Sequence, residues 1–305
     1  MDPRFSIIIP TYNYAHTLSR AVSSALEQAG DDYEILIIND GSTDNTATVI
    51  SELRQKAPTK IRDFSQPNAG AATARNHAIK ESRGQFLLFL DSDDALLLNA
   101  LSILRNVLDA RQNAEVVIGA HIKVGENNTE KYCGNPTLPT NAEKRFTSYL
   151  EKKLYLAMGA TLFARRVFDK IKFPEQFRSA EDIVIFAQAL ALFNTVGIEE
   201  PLVKVYAHPN SLRHDCASAM AVGLRLVDEI FNPAILPKNF MQYRKQYETR
   251  RCLSLFRTLH AGGYNPQARA YFHRAIKDDW RCLLKPEYWR KYISSFCTQS
   301  CHGAK

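Results

Sequence analysis

No stretch of this chain stays apolar over the ~18 residues that a membrane-crossing helix needs, so no transmembrane span is expected. The opening MDPRFSIIIPTYN does not read as a secretory leader, because its apolar run is short and stops at Pro10. The six cysteines form no CxxC pair of the kind that binds zinc. Only Cys297 and Cys301 lie close together, near the tail, and reduced thiols of a cytosolic protein are the expected reading. No GxGxxG follows the first apolar segment, which disfavours a dinucleotide-binding Rossmann site, and no GxxxxGK[ST] is present, which disfavours a P-loop NTPase. Internal repeats and low-complexity tracts are also lacking, so a solenoid or array is not expected.

What is present fits one large α/β domain with an appendage. The 305 residues suffice for a substantial core. FSIIIPTYN reads as a short buried strand and HTLSRAVSSALEQA as a helix stopped by Gly30. YEILIIND is a second strand. Ser42, Thr43 and Asp44 are candidate caps for the helix TATVISELRQKA. IRDFSQP is a weaker strand, AGAATARNHAIKES a helix entered through Gly70, and QFLLFLDSD a fourth strand. Such alternation predicts a mostly parallel sheet with helices on its faces. Ligands bind such sheets at the carboxyl ends of the strands, and Thr11-Tyr12-Asn13, Asn39-Asp40-Gly41 and Asp91-Ser92-Asp93 all fall there.

The second half is read more coarsely. LYLAMGATLFARRVFDKI suggests helix, strand and helix; RSAEDIVIFAQALALF a helix opened by Ser179; and TVGIEEPLVKVYAHP a strand, a turn and a strand. Residues 1–215 are expected to form the catalytic domain and 216–305 a basic helical region. From Asp215 onward 15 Lys and Arg stand against 7 Asp and Glu, so this third carries the whole of the chain's +7 charge. The asymmetry points to an anionic partner surface: acidic lipid, a phosphorylated acceptor or nucleic acid. No nucleic-acid motif supports the last. LLKPEYWRKYISSF interleaves aromatics with Lys285, Arg290 and Lys291, a composition suited to an anionic membrane. Packing of those aromatics on the rest of the protein is the alternative.

The sharpest chemistry lies in FLLFLDSDDALL. A buried strand runs into Asp91, Asp93 and Asp94, which repel one another and need a compensating charge. Hard carboxylate oxygens suit Mg²⁺ or Mn²⁺ with positions left open for substrate phosphates. Asp93 or, more readily, Asp94 can instead cap the helix expected over ALLLNALSILRNVLDA.

Together SIIIPTYN, INDGSTDNT, NAGAATARN and FLLFLDSDD resemble, in order and spacing, the family 2 glycosyltransferases of the GT-A fold. The resemblance is dense over residues 5–100, thinner through AEDIVIF and YAHPNSL to about residue 214, and absent beyond. It implies a nucleotide-sugar donor, a UDP-sugar first, with the base held by Pro10, Thr11, Tyr12, Asn13 and Asp40. Asp40 can accept from a uracil N–H and Tyr12 can lie beside the ring. Asn68, Gly70 and Arg75 follow: Gly70 permits close backbone approach, and Arg75 offers fixed donors to phosphate or to the DSD acids. Asp91, Ser92 and Asp93 complete the donor side, with Asp91 and Asp93 as metal ligands.

Glu181-Asp182 resembles the family's ED pair. Asp182 is expected to be the base that takes the acceptor's proton, kept ionised by the helix dipole, with Glu181 beside it. By the same resemblance His208 contacts the metal or diphosphate, with His214 as the alternative, and Arg213 neutralises the departing diphosphate. The implied activity is inverting, metal-dependent sugar transfer to a hydroxyl of a glycan or glycolipid, in bacterial surface polysaccharide or lipopolysaccharide synthesis. It would take place in the cytoplasm or at the inner face of the membrane. A nucleotidyltransferase making sugar nucleotides is a rival, although no Gly-rich basic N-terminal loop is seen; a non-catalytic nucleotide-sugar-binding scaffold is another, opposed by the intact DSD and ED pairs.

Overall fold

An apolar run without alternation must bury both faces of its strand, and FSIIIPT does: β1 (Phe5–Thr11) is buried throughout, as is β2 (Tyr33–Asn39). The exception within them is Glu34. It accepts from Ser6 Oγ at 2.7 Å, the Arg83 amide at 2.6 Å and Arg62 Nη1 at 2.9 Å, so its burial is compensated.

The computed structural model describes residues 2–134, 138–207 and 216–297. The chain divides into two compact units, Met1–Asn210 and Ser211–Lys305. In the first, α1 (Ala15–Leu26) follows β1, and α2 (Thr46–Lys56) joins β2 to β3 (Ile61–Ser65). Next come α3 (Ala71–Glu81), β4 (Phe86–Phe89), the two-residue β5 (Ala95–Leu96), α4 (Ala100–Ala110), β6 (Val116–Val124) and β7 (Glu130–Cys133). Then follow α5 (Ala142–Leu150), β8 (Thr161–Ala164), α6 (Glu181–Leu192) and β9 (Thr195–Tyr206).

The strand order is β3-β2-β1-β4-β8-β6-β9-β5, with β7 on β6. β3, β2, β1 and β4 run parallel, as the alternation requires. β8 runs antiparallel between β4 and β6. The chain order reverses at β1, whose neighbours are β2 and β4, and this is the switch point where a parallel sheet opens a crevice. Thr11 stands beside Asn39, and Asn39 beside Ser65, so the turns after β1, β2 and β3 leave at one edge. Pro10 lies past Ile8, the last β1 residue paired with β4, where a missing N–H costs that ladder nothing. Phe89 meets Phe163, Phe168 and Phe173 edge-on, with ring centroids within 6.0 Å, and this packing fixes the end of β4.

Several local expectations give way to tertiary contacts. The helix expected from Ala95 starts only at Ala100, because Ala95 and Leu96 pair antiparallel with β9. Asp94 is therefore no cap; its Oδ1 accepts the Tyr206 amide at 3.0 Å. The strand-turn-strand around Gly197 to Val205 is one strand. Its register on β6 slips between Ile118 and Ala120, so Glu199-Glu200-Pro201 bulges where a turn was expected and Pro201 sits at the break. The helices expected on either side of β8 are 3-10 turns, Met158–Ala160 and Arg165–Asp169. Asp44, not Ser42 or Thr43, satisfies the start of α2, accepting from the Thr46 amide at 3.0 Å.

In the second unit α7 (Cys216–Val222), α8 (Arg225–Ile230) and α9 (Lys238–Met241) precede α10 (Arg244–Ala261), α11 (Asn265–Asp278), a 3-10 turn (Trp280–Leu284) and α12 (Pro286–Cys297). Phe256 of α10 stacks on Phe272 of α11 at 4.8 Å, and Tyr288 of α12 closes the same core. Among the described residues no helix is long and apolar enough to cross a membrane.

Candidate active site

The turn after β4 is held at three points. Leu90 donates its amide to Ile8 of β1 at 2.8 Å, and Asp94 donates its amide back to the Asp91 carbonyl at 3.0 Å. Arg20 of α1 reaches the Asp93 carbonyl, and its guanidinium lies 3.8 Å above the ring of Tyr206. One carboxylate oxygen each from Asp91, Asp93 and Asp94 comes within 4.8 Å of the others. Asp91 and Asp93 are half-buried and Ser92 and Asp94 are buried. The Tyr14 phenol is pushed up to about 12 by burial and then by the charges of Asp93, Asp91 and Asp94. Three hard oxygen donors in a field this negative fit a divalent cation of the Mg²⁺ or Mn²⁺ kind.

Arg75 of α3 joins this turn to the other acidic pair. Its side chain is 5% exposed; Nη2 donates to Asp91 Oδ1 at 2.8 Å and Nη1 to Glu181 Oε1 at 2.5 Å. Both partners are carboxylates of the acidic turns. Burial works against the guanidinium charge, but Asp91 and Glu181 outweigh it and hold Arg75 above its ordinary value. Asp182 lies next to Glu181 in the first turn of α6. The helix N-terminus favours its charge, but other influences act on the same carboxyl. Burial first, then the charges of Glu181 and Asp91, push it up to about 6 against the pull of Arg75. Its Oδ1 accepts the Ile183 amide at 2.9 Å, which leaves Oδ2 for other chemistry. The residue before this turn is not an opening Ser179 but Ala180, with a left-handed backbone (φ 64°) and no side-chain cap.

In the turn after β1, Asn13 (φ 58°) takes a conformation that Asn tolerates better than most residues. From there its Oδ1 accepts the Thr43 amide at 2.7 Å and its own amide donates to Ser42 Oγ at 2.9 Å, which ties the β1 turn to the β2 turn. Thr11 is buried and its Oγ1 has no partner among the described residues. Tyr12 is 43% exposed, free to meet a planar ring. Asp40 is buried; it accepts from Gln66 Nε2 at 2.7 Å, the Ala69 amide at 2.9 Å and the Gly70 amide at 2.7 Å. It thus organises the loop after β3. Gly70 (φ 95°) takes a backbone conformation that residues with a Cβ rarely adopt, and a Cβ there would also sit 3.1 Å from the Arg178 side chain. Arg178 in turn donates to Asn68 Oδ1 at 2.9 Å.

The residues read from the sequence therefore gather in two groups along one edge: Thr11, Tyr12, Asn13, Asp40, Asn68 and Gly70 in one, Asp91, Asp93, Arg75, Glu181 and Asp182 in the other. His208, Arg213 and His214 lie outside the described residues. Sequence reasoning missed Tyr14, Arg20, Gln66, Arg178 and Tyr206. Gln66 was within reach, being the residue after a strand that ends at the same edge; Arg20 and Tyr206 carry no local signal.

Comparison with known proteins gives the same picture. The family model described as Glycosyl transferase family 2 matches residues 6–172. A chondroitin synthase of Pasteurella multocida is 46% identical over 101 residues, 33% of this chain and 10% of that protein. The chain spans about a third of the length of the curated relatives it matches first, at 38%, 34%, 38% and 33%. S. aureus TarS in complex with UDP-GlcNAc superposes with a TM-score of 0.64 at 20% identity, covering 96% of this chain and 79% of that one. A mannosyltransferase from Pyrobaculum calidifontis, in complex with GDP-Man and Mn²⁺, gives 0.58 at 18% identity, covering 97% and 85%. The fold is of the GT-A type. With the matched model taking in the β1, β2 and β4 turns and Arg75, the chain belongs to the family 2 glycosyltransferases.

Proposed function

We propose that this chain moves a sugar, with inversion, from a nucleoside-diphosphate donor, UDP-linked first, to a hydroxyl of a glycan or lipid-linked acceptor. The setting is assembly of a bacterial surface polysaccharide or lipopolysaccharide, in the cytoplasm or at the inner face of the membrane. The observation that carries this reading is Arg75: by bridging Asp91 to Glu181 it puts the acidic turn and the Glu181-Asp182 pair in one site. The UDP-GlcNAc and GDP-Man of the two structural neighbours support a nucleotide-sugar donor.

In this reading Thr11, Tyr12, Asn13 and Asp40 receive the base, and Asn68 and Gly70 border the diphosphate. Asp91 and Asp93, with Asp94 beside them, would hold Mn²⁺ or Mg²⁺, which when bound supplies positive charge against the diphosphate. His208 is a further candidate ligand, and Arg213 a candidate cation at the leaving group. Asp182 takes the acceptor's hydroxyl proton on Oδ2. The acceptor oxygen then bonds to the anomeric carbon from the face opposite the leaving group. The bond from that carbon to the diphosphate oxygen breaks, its electron pair leaves with the nucleoside diphosphate, and the configuration inverts. A carboxylate with an affinity near pH 6 is a stronger base than an ordinary one, yet mostly ionised at neutral pH. Glu181, occupied by Arg75, positions the pair.

Asp182→Asn tests the assignment. Donor binding by calorimetry should persist while turnover falls about 100-fold or more; wild-type turnover would remove Asp182 as the base. A thermal-shift panel of UDP-, GDP-, CMP- and dTDP-sugars, each with and without Mn²⁺, names the donor. Stabilisation by none of them contradicts nucleotide-sugar binding.

A further inference from the structure

The aromatics near the end of the second unit sort into two sets. Tyr288 is 6% exposed and packs with Phe256 and Phe272, and Tyr292 lies 5.0 Å from Phe272 with its hydroxyl 2.7 Å from His273 Nε2. These hold α12 on α10 and α11. The other set faces outward: Trp280 at 62% exposure, Leu284 at 67%, Trp289 at 40%, Ile293 at 59% and Phe296 at 61%. Trp289, Ile293 and Phe296 recur at the four- and three-residue steps that align side chains along one side of a helix. Such a row of exposed large apolar groups on α12, with Trp280 and Leu284 exposed on the turn just before it, has the character of an interaction surface.

Cations frame it. Arg269 lies 4.4 Å above the Phe296 ring and is anchored to the Ser295 carbonyl at 2.6 Å. Arg281 and Lys285 each directly follow an exposed apolar residue, and both are exposed, as is Arg290. From residue 277 to 296 five Lys and Arg stand against Asp278, Asp279 and Glu287, and Arg281 Nε lies 3.9 Å from Asp279 Oδ1. Tryptophan with aliphatic and cationic neighbours is the composition that settles at the level of lipid headgroups.

We propose that this face, Trp280, Leu284, Trp289, Ile293 and Phe296 with Arg281, Lys285 and Arg290, docks the protein on an anionic lipid bilayer. It deepens the reading of a lipid-linked acceptor and rests on it for its purpose, though not for its physics. The apolar groups enter the headgroup layer, and the cations meet lipid phosphates.

Flotation of the full chain with vesicles tests this without donor or acceptor. Vesicles of phosphatidylcholine with about a third phosphatidylglycerol should carry the protein upward, pure phosphatidylcholine vesicles far less, and added salt should release it. Arg281→Gln with Lys285→Gln and Arg290→Gln should weaken partitioning about fivefold per charge, roughly a hundredfold together. Trp289→Ser with Ile293→Ser and Phe296→Ser should abolish flotation while leaving circular dichroism and nucleotide-sugar turnover at wild-type values. Equal flotation with both vesicle types, or flotation that survives the serine variant, overturns the proposal. So does light scattering that shows a dimer broken by that variant in a protein that ignores vesicles, since a second copy would then be the occupant. Loss of sugar transfer in wild type would strike the enzymatic reading and leave the docking result intact.

Discussion

Replacing Arg75 by Met removes the one guanidinium that Asp91 and Glu181 share, and its cost can be worked from the structure. Breaking a buried ion pair by deleting one partner costs about 3–5 kcal/mol, because a charge is left buried without compensation. Here the two arms differ. Glu181 is 11% exposed in its side chain and pairs at 2.5 Å; Asp91 is 40% exposed and pairs at 2.8 Å, so solvent screens it. The Glu181 arm dominates, and the lower figure, about 3 kcal/mol, is the expectation. Met retains much of the aliphatic bulk beside the Phe173 ring, which now lies 5.4 Å from the guanidinium carbon, so the cavity left is small. For a unit of this size each kcal/mol moves Tm by about 2–4 °C, which gives a drop of about 6–12 °C. Thermal unfolding in EDTA at neutral pH reads this difference between the two proteins, and no gap would refute the bridge. A second readout is independent of stability. Arg75 holds the Asp182 carboxyl down, so its loss should carry the acid limb of the rate profile to higher pH. An unmoved limb would sever Arg75 from the proposed base.

Three further outcomes are expected. Because Asp182 is pushed up to about 6, its charge costs native stability that accrues between the ordinary aspartate value and about pH 6 and is complete above it; Asp182→Asn should raise Tm at pH 8, and the gain should vanish by about pH 3, below the ordinary aspartate value. Thermal scans of the two proteins across that window check it, and a gain that persists in acid contradicts the cause assigned. Asp93→Ala should abolish the Mn²⁺-dependent part of nucleoside-diphosphate affinity while metal-free binding stays, as calorimetry with and without Mn²⁺ will read; unchanged affinity in both removes Asp93 as a ligand. Asp40→Asn turns one of the oxygens that serve Gln66, Ala69 and Gly70 into a donor, at a cost of about 1–3 kcal/mol for the amide left unpaired. Faster amide exchange at Ala69 and Gly70 together with weaker donor binding is the expected pair of signs, and unchanged exchange would show that Asp40 does not order the loop.

What could be read from the sequence and what could not divides by the range of the forces involved. The continuous burial of FSIIIPT and YEILIIN made two inner strands legible, and the rule that parallel strands open their ligand edge at their carboxyl ends placed Asn13, Asp40 and Asp91 together without any contact being known. Elements whose form depends on a distant partner were not legible. Ala95 and Leu96 have the composition of a helix start and become a strand because β9 lies beside them. Glu199-Glu200-Pro201 has the composition of a turn and becomes a bulge because β6 runs past it. The upward push on Asp182 was not legible either: a helix N-terminus that favours a carboxylate's charge is visible in the chain's own order, whereas burial, Asp91 from across the site and Arg75 from α3 are not. The two carboxylate pairs were each legible alone. Their union was not, since it depends on a side chain in α3 that touches a turn 16 residues away and a helix 106 residues away. The residue that makes this a single site is thus the one whose role local pattern could least decide, between a phosphate and the acids that it in fact holds.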